Sequence, residues 1–148
     1  MRRSLVITLA TFLVAVVTPG FAQRAENFNA RLDWVPIGGT ERNDVAGEGT
    51  VSAKLGGNTL AITGSFTGLP AKVTGAKLHA GVATGARGRG VVVADLQVTG
   101  GASGTVSGDV RLTAEQVAAL KAGQLYVQIY SEKGVLPDHS TLWGWLLP

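Results

Sequence analysis

The stretch 75-GAKLHAGVATGARGRGVVVADL-96 decides how the rest of the chain is read. Val73 to His79 runs into it as a strand, with Leu78 turned to the core and a histidine at its end. Ala80 to Gly90 is a glycine-rich loop carrying Arg87 and Arg89. Val91 to Leu96 then resumes as a strand opening on the uninterrupted apolar run Val91 to Ala94. Such a run predicts a central strand covered on both faces. Two strands joined by a glycine loop, with no helical period on either side, set the expectation of an all-β chain.

Working towards the N-terminus, the same logic repeats with clean alternation. Strand side chains point to opposite faces with period two. From Gly47 to Leu55, Val51, Ala53 and Leu55 point inward and Thr50, Ser52 and Lys54 outward. Gly56-Gly57-Asn58 supplies a tight turn, because glycine and asparagine accept the positive φ that short hairpins need. Thr59 to Phe66 returns with Leu60, Ile62 and Phe66 inward. Earlier still, Phe28, Ala30, Leu32 and Trp34 share one face of another strand, which ends at Pro36, a residue without a backbone N–H. Val35 to Asp44 reads as a loop.

Towards the C-terminus, Gly100 to Gly104 is a flexible turn and Thr105 to Leu112 alternates again, with Val106, Val110 and Leu112 as core positions. Thr113-Ala114-Glu115-Gln116 has the form of a capping box. Val117, Leu120 and Ala114 fall on one face at helical spacing, and Gly123 suits a helix C-terminus. One short helix over 114–121 is therefore expected. Leu125 to Tyr130 is strongly β-prone. Ser131 to Ser140 reads as a loop through Pro137. Thr141 to Leu146 is the last strand, with Trp143 and Trp145 on the face opposite Leu142, Gly144 and Leu146. About eight strands, punctuated by glycine roughly every 8–12 residues, predict an antiparallel Greek-key-like β sandwich or flattened barrel with one short helix.

The chain opens on Met1-Arg2-Arg3, then an apolar run from Leu5 to Val17, then small residues before Gln23. That order predicts a secretory signal peptide over residues 1–22. The run is shorter than the roughly 20 residues of a spanning helix. One exported domain, 23–148, is then expected, periplasmic or extracellular, with no membrane span in the mature form. There is no cysteine, so neither disulfides nor thiolate metal sites can hold it. The formal charge of +3 falls to +1 once Arg2 and Arg3 are removed, which is no footprint for nucleic acid.

Taken in order, several segments resemble the CHRD domain, the module named after chordin. They are Gly64-Ser65-Phe66-Thr67-Gly68-Leu69, Ala76-Lys77-Leu78-His79-Ala80-Gly81 and Gly88-Arg89-Gly90-Val91-Val92. Leu112-Thr113 to Leu120-Lys121-Ala122-Gly123, Leu125 to Tyr130 and Trp143-Gly144 follow, so that the resemblance spans roughly Phe28 to Leu147. The family pattern has a His-Ile-His-like triplet where this chain has Lys77-Leu78-His79. It has an Asn-Ile-His-Thr-like stretch where this chain has Gln128-Ile129-Tyr130-Ser131, and an Arg-Gly pair where this chain has Trp143-Gly144. Two of three family histidines are thus absent. The resemblance implies protein binding outside the cell and carries no defined catalytic activity with it.

His79 and His139, with Asp138 beside the latter, are the candidate metal ligands. A closed zinc site takes four ligands, so the count is short, and a hydrogen-bonded His79 with a solvated His139 is the favoured reading; no cofactor is expected. Serines lack a G-x-S-x-G elbow and the carboxylates are scattered, so the protein is not expected to be an enzyme. Chemistry based on His79 and a carboxylate is the alternative. Arg87 and Arg89 offer an anion-cradling loop, but it leads into a strand rather than a helix N-terminus. Trp143 and Trp145 are either core or an exposed pair on the outer face, two readings of equal weight. With the two arginines they form the candidate binding surface, for a protein or an envelope polymer.

Overall fold

The computed structural model describes residues 24–81 and 90–148. The signal peptide expected over 1–22 and the arginines Arg87 and Arg89 lie outside the described residues. Eight antiparallel strands among the described residues close into a barrel. In chain order they are β1 (Glu26–Trp34), β2 (Glu48–Gly56), β3 (Thr59–Thr67), β4 (Val73–Ala80), β5 (Val91–Gly100), β6 (Gly104–Arg111), β7 (Leu125–Val135) and β8 (Ser140–Trp145). One α-helix, α1 (Ala114–Lys121), crosses from β6 to β7, and a 3-10 helix, Glu41–Asp44, lies between β1 and β2. Around the barrel the order is β1-β2-β3-β6-β5-β4-β7-β8, with β8 returning to β1.

Alternation builds the core. Val51, Ala53 and Leu55 of β2 and Leu60, Ile62 and Phe66 of β3 all face the interior, while Thr50, Ser52 and Lys54 face solvent. The β2–β3 turn is two residues long, since Gly56 pairs with Thr59. Gly57 takes φ 62° there, a conformation that costs glycine little. Phe28, Leu32, Leu78, Leu125, Val127, Ile129, Leu142 and Leu146 complete the interior. The helix spans 114–121 as expected. Thr113 Oγ1 accepts from the Gln116 N–H at 3.2 Å, and Gln116 Oε1 accepts from the Thr113 N–H at 2.9 Å. Leu120 is fully buried, but Ala114 is exposed and adds nothing to its apolar face.

Three sequence expectations need correction. Trp34 keeps the parity of Leu32 but lies past the last β1–β2 pair, Leu32 with Gly49. It is 46% exposed, with its indole N–H on the Gly47 carbonyl at 2.9 Å. The valine run of β5 is not covered on both faces: Val91 and Val92 are exposed, and only Leu96 of Val91–Leu96 is buried. β-branched residues suit an extended backbone whether or not a second layer covers them. An irregularity adds to this. His79 pairs with Val92 and Leu78 with Ala94, so Val93 is an extra residue on β5. Finally, Ser131 to Val135 continues β7 rather than opening a loop. Its buried polar groups are satisfied locally: Ser131 Oγ bonds the Lys133 carbonyl and lies 3.0 Å from Thr141 Oγ1. This extension carries Val135 against Val35 and Val45 as a small second core, on which Trp143 packs.

Candidate functional site

The strand register gathers aromatic side chains on the outside of the barrel. On β7 the inward residues are Leu125, Val127 and Ile129, which leaves Tyr126, Gln128 and Tyr130 pointing outward. Tyr126 pairs with His79 of β4 on one side and with Trp145 of β8 on the other. Gln128 likewise lies between Lys77 and Trp143. Two cross-strand rows result, His79–Tyr126–Trp145 and Lys77–Gln128–Trp143. Neighbours in such rows lie about 4.5–5.5 Å apart at Cβ and interact directly.

The rings meet as a cluster. His79 stacks on Tyr126 with centroids 4.9 Å apart and planes 7° from parallel. Trp145 tilts against Tyr126 at 4.8 Å, and Trp143 meets Tyr126 edge-on at 5.7 Å. The two indoles are 5.8 Å apart, themselves edge to face. Tyr126 is fully buried under its neighbours, whereas Trp143 and Trp145 are half-buried. Offset and edge-to-face pairs of this kind contribute about 0.5–1.5 kcal/mol each beyond area burial.

His79 is held at both ring nitrogens. Nδ1 is 3.1 Å from the Gly90 carbonyl oxygen and Nε2 is 2.9 Å from the Tyr130 hydroxyl. A carbonyl only accepts, so Nδ1 carries the proton. Nε2 is then the acceptor and the Tyr130 O–H donates to it. Gly90 is gripped by its other backbone group as well, its N–H donating to the Tyr126 hydroxyl at 2.8 Å. Burial pushes the His79 imidazole below its ordinary pKa. The Gly90 carbonyl opposes that shift, Lys77 adds to it and Asp138 opposes it. Burial likewise raises both phenols, and Asp138 reinforces the rise in each. Both nitrogens of the neutral His79 are thus engaged, Nδ1 as a donor and Nε2 as an acceptor.

Beside this cluster a shallow groove is lined by Thr74, Gly75, Lys77, Asp95, Tyr130 and Asp138, among others. Lys77 Nζ donates to Asp95 across it at 2.5 Å. Of the residues singled out from sequence, Arg87 and Arg89 lie outside the described residues. Trp143 and Trp145 share the outer face with His79. His139 sits exposed in the turn after β7 at φ 58°, and its carbonyl accepts from the Ser131 N–H at 3.2 Å. No group of three or more His, Cys, Asp or Glu suited to a metal occurs among the described residues. The sequence places Tyr126 and Tyr130 on a β-prone strand but does not mark either as a partner of His79. Their shared parity with Gln128 was the available signal.

The family model of the CHRD domain matches residues 29–134, most of the chain. Neither the curated proteins nor the solved structures provide a match. Two positions at which the sequence departs from that family's histidine pattern, Lys77 and Tyr130, both border the groove beside His79. Tyr130 touches His79 directly.

Proposed function

The chain belongs to the CHRD domain family, and on that premise we propose that it is an exported, non-catalytic binding module. Its docking surface is the outer face of β7 and β8, and its partner is a protein or an envelope polymer. One observation carries this reading: Trp143 and Trp145 stand side by side, half-buried, on the outside of a barrel whose interior is already filled by other residues. Tryptophan in that setting offers large, rigid contact area and is enriched at binding hot spots. Tyr126, itself stacked on His79, contacts both indoles. The occupied nitrogens of His79 and the raised pKa of Tyr130 favour binding over acid–base chemistry. Export is supported by the basic start and apolar run of residues 1–22, and no described helix is long and apolar enough to cross a membrane. The return of β7 to lie beside β4, outside the β4–β5–β6 meander, has the order of a Greek key, and we read the barrel that way.

The test is a pull-down from periplasmic and secreted fractions with three baits: the domain, Trp145→Ala and Lys54→Ala, the last on the outer face of β2, two strands from β8. Trp145→Ala is expected to stay folded. Its half-burial sets the cost at about 1–2 kcal/mol, between a core truncation and a surface change. A partner held by wild type and Lys54→Ala but lost by Trp145→Ala supports the reading. Equal retention by all three baits overturns it.

A further inference from the structure

We propose that protonation of His79 reverses its hydrogen bond with Tyr130 and turns the Tyr130 hydroxyl onto Asp138, so that acid draws the 136–139 turn against the outer face. This goes beyond the binding reading and does not depend on it. In the neutral state the Tyr130 O–H donates to Nε2 across 2.9 Å, and Nδ1–H donates to the Gly90 carbonyl. A proton taken from solvent can enter only at Nε2. Two donors then face each other, and the phenol must rotate about its C–O bond and accept from Nε2–H instead.

Its own proton needs a new acceptor. The carboxylates whose charge bears on Tyr130 are Asp138 and Asp95. Asp95 is engaged by Lys77. Asp138 lines the same groove as Tyr130 and has no ion pair or hydrogen bond among the described residues. It is therefore the available acceptor, and the new positive charge on His79 attracts it further. Among the described residues, the charged and titratable groups around His79 divide as follows. Lys77 on β4 opposes the charge. Asp95 on β5 is neutralised by Lys77. Tyr126 and Tyr130 on β7 stay protonated. β8 contributes only Trp143 and Trp145, without charge. Asp138 is left as the group that rewards protonation. Val135, which leads into the turn, packs in the cluster that holds Trp143, so the movement reaches the indole pair.

The experiment is an NMR titration of isotope-labelled wild type, Tyr130→Phe and Asp138→Asn. At neutral pH the His79 ring nitrogens are expected to show the Nδ1–H tautomer. On acidification the Asp138 side-chain carboxyl signal should take a step at the His79 midpoint. Tyr130→Phe should remove that step while His79 still titrates. Asp138→Asn, in an exposed turn and so harmless to folding, should move the His79 midpoint to lower pH. An Nε2–H tautomer at neutral pH, no Asp138 step at the His79 midpoint, or an unmoved midpoint in Asp138→Asn would each overturn the proposal.

Discussion

The imidazole of His79 and the ring of Tyr126 lie flat on one another at 4.9 Å, and the two side chains grip opposite ends of the same peptide residue, Gly90. Gly90 directly precedes β5, so this stacked pair fixes where that strand begins. A side chain at Gly90 would have no room: a Cβ there would lie 2.2 Å from the Ala80 carbonyl oxygen and 3.1 Å from the Tyr126 ring.

Tyr126→Phe keeps the stack but removes the acceptor of the Gly90 N–H. A part-buried donor left without a partner costs about 1–3 kcal/mol. The expected result is a lower urea midpoint together with faster amide exchange at Gly90. Unchanged exchange at Gly90 would show that the grip is not made in solution.

Stability should fall with acid through His79. Its folded pKa lies below the ordinary value of about 6.5, because burial disfavours the charged ring. As pH drops through about 6.5, the unfolded chain takes up a proton that the folded chain refuses. Stability is therefore lost from that point down to the depressed folded pKa and levels off below it, with a slope of at most about 1.4 kcal/mol per pH unit. Above about 6.5 this residue contributes no pH dependence. Urea melts of wild type and His79→Gln between pH 4 and 8 check it: the slope in that window should be shallower in the variant. Parallel curves would mean that His79 is not the group responsible.

The β1–β8 junction gives a third expectation. Only Asp33 with Trp143 and Trp34 with Leu142 pair there, assisted by a bridge between Asn29 and Leu147. Gly144 lies against β1, and a Cβ on it would come within 2.2 Å of the Arg31 carbonyl oxygen and 3.0 Å of the Leu32 side chain. Gly144→Ala should therefore lose about 1–3 kcal/mol as the two strands are forced apart. Gly75→Ala, where nothing lies within 4 Å of the added carbon, is the control. Equal denaturation midpoints for the two variants would contradict the close approach.

How far the sequence could be read follows from the range of each interaction. The Gly57-Asn58 hairpin, the Thr113–Gln116 capping box and the alternation in β2 and β3 are local, and they were legible. The opposed faces of Leu142 and Trp143 were legible too, since parity needs only neighbours. Which face of β8 turned inward was not, because that depends on Val127 and Leu32 arriving from distant parts of the chain. Closure of the barrel through two pairs at the end of β1 left no local mark. The exposed Val91 and Val92 misled because β-propensity is indifferent to cover. His79 stood out as a lone histidine, but its partners come from 11, 47 and 51 residues further on. Only the tyrosine at a position where the family pattern has histidine hinted at one of them.

Every strand of this barrel has a hydrogen-bonded neighbour on each side. No strand is therefore left with a whole edge open, although β1 meets β8 through only two residue pairs. An extended peptide or a second copy finds no complete strand edge to extend as a ninth strand. Recognition on this scaffold falls to side chains standing off the wall, which can be exchanged one at a time without disturbing the ladder beneath. For a chain with no cysteine to lock it, the same closure shields against the intermolecular β-pairing that leads to fibres.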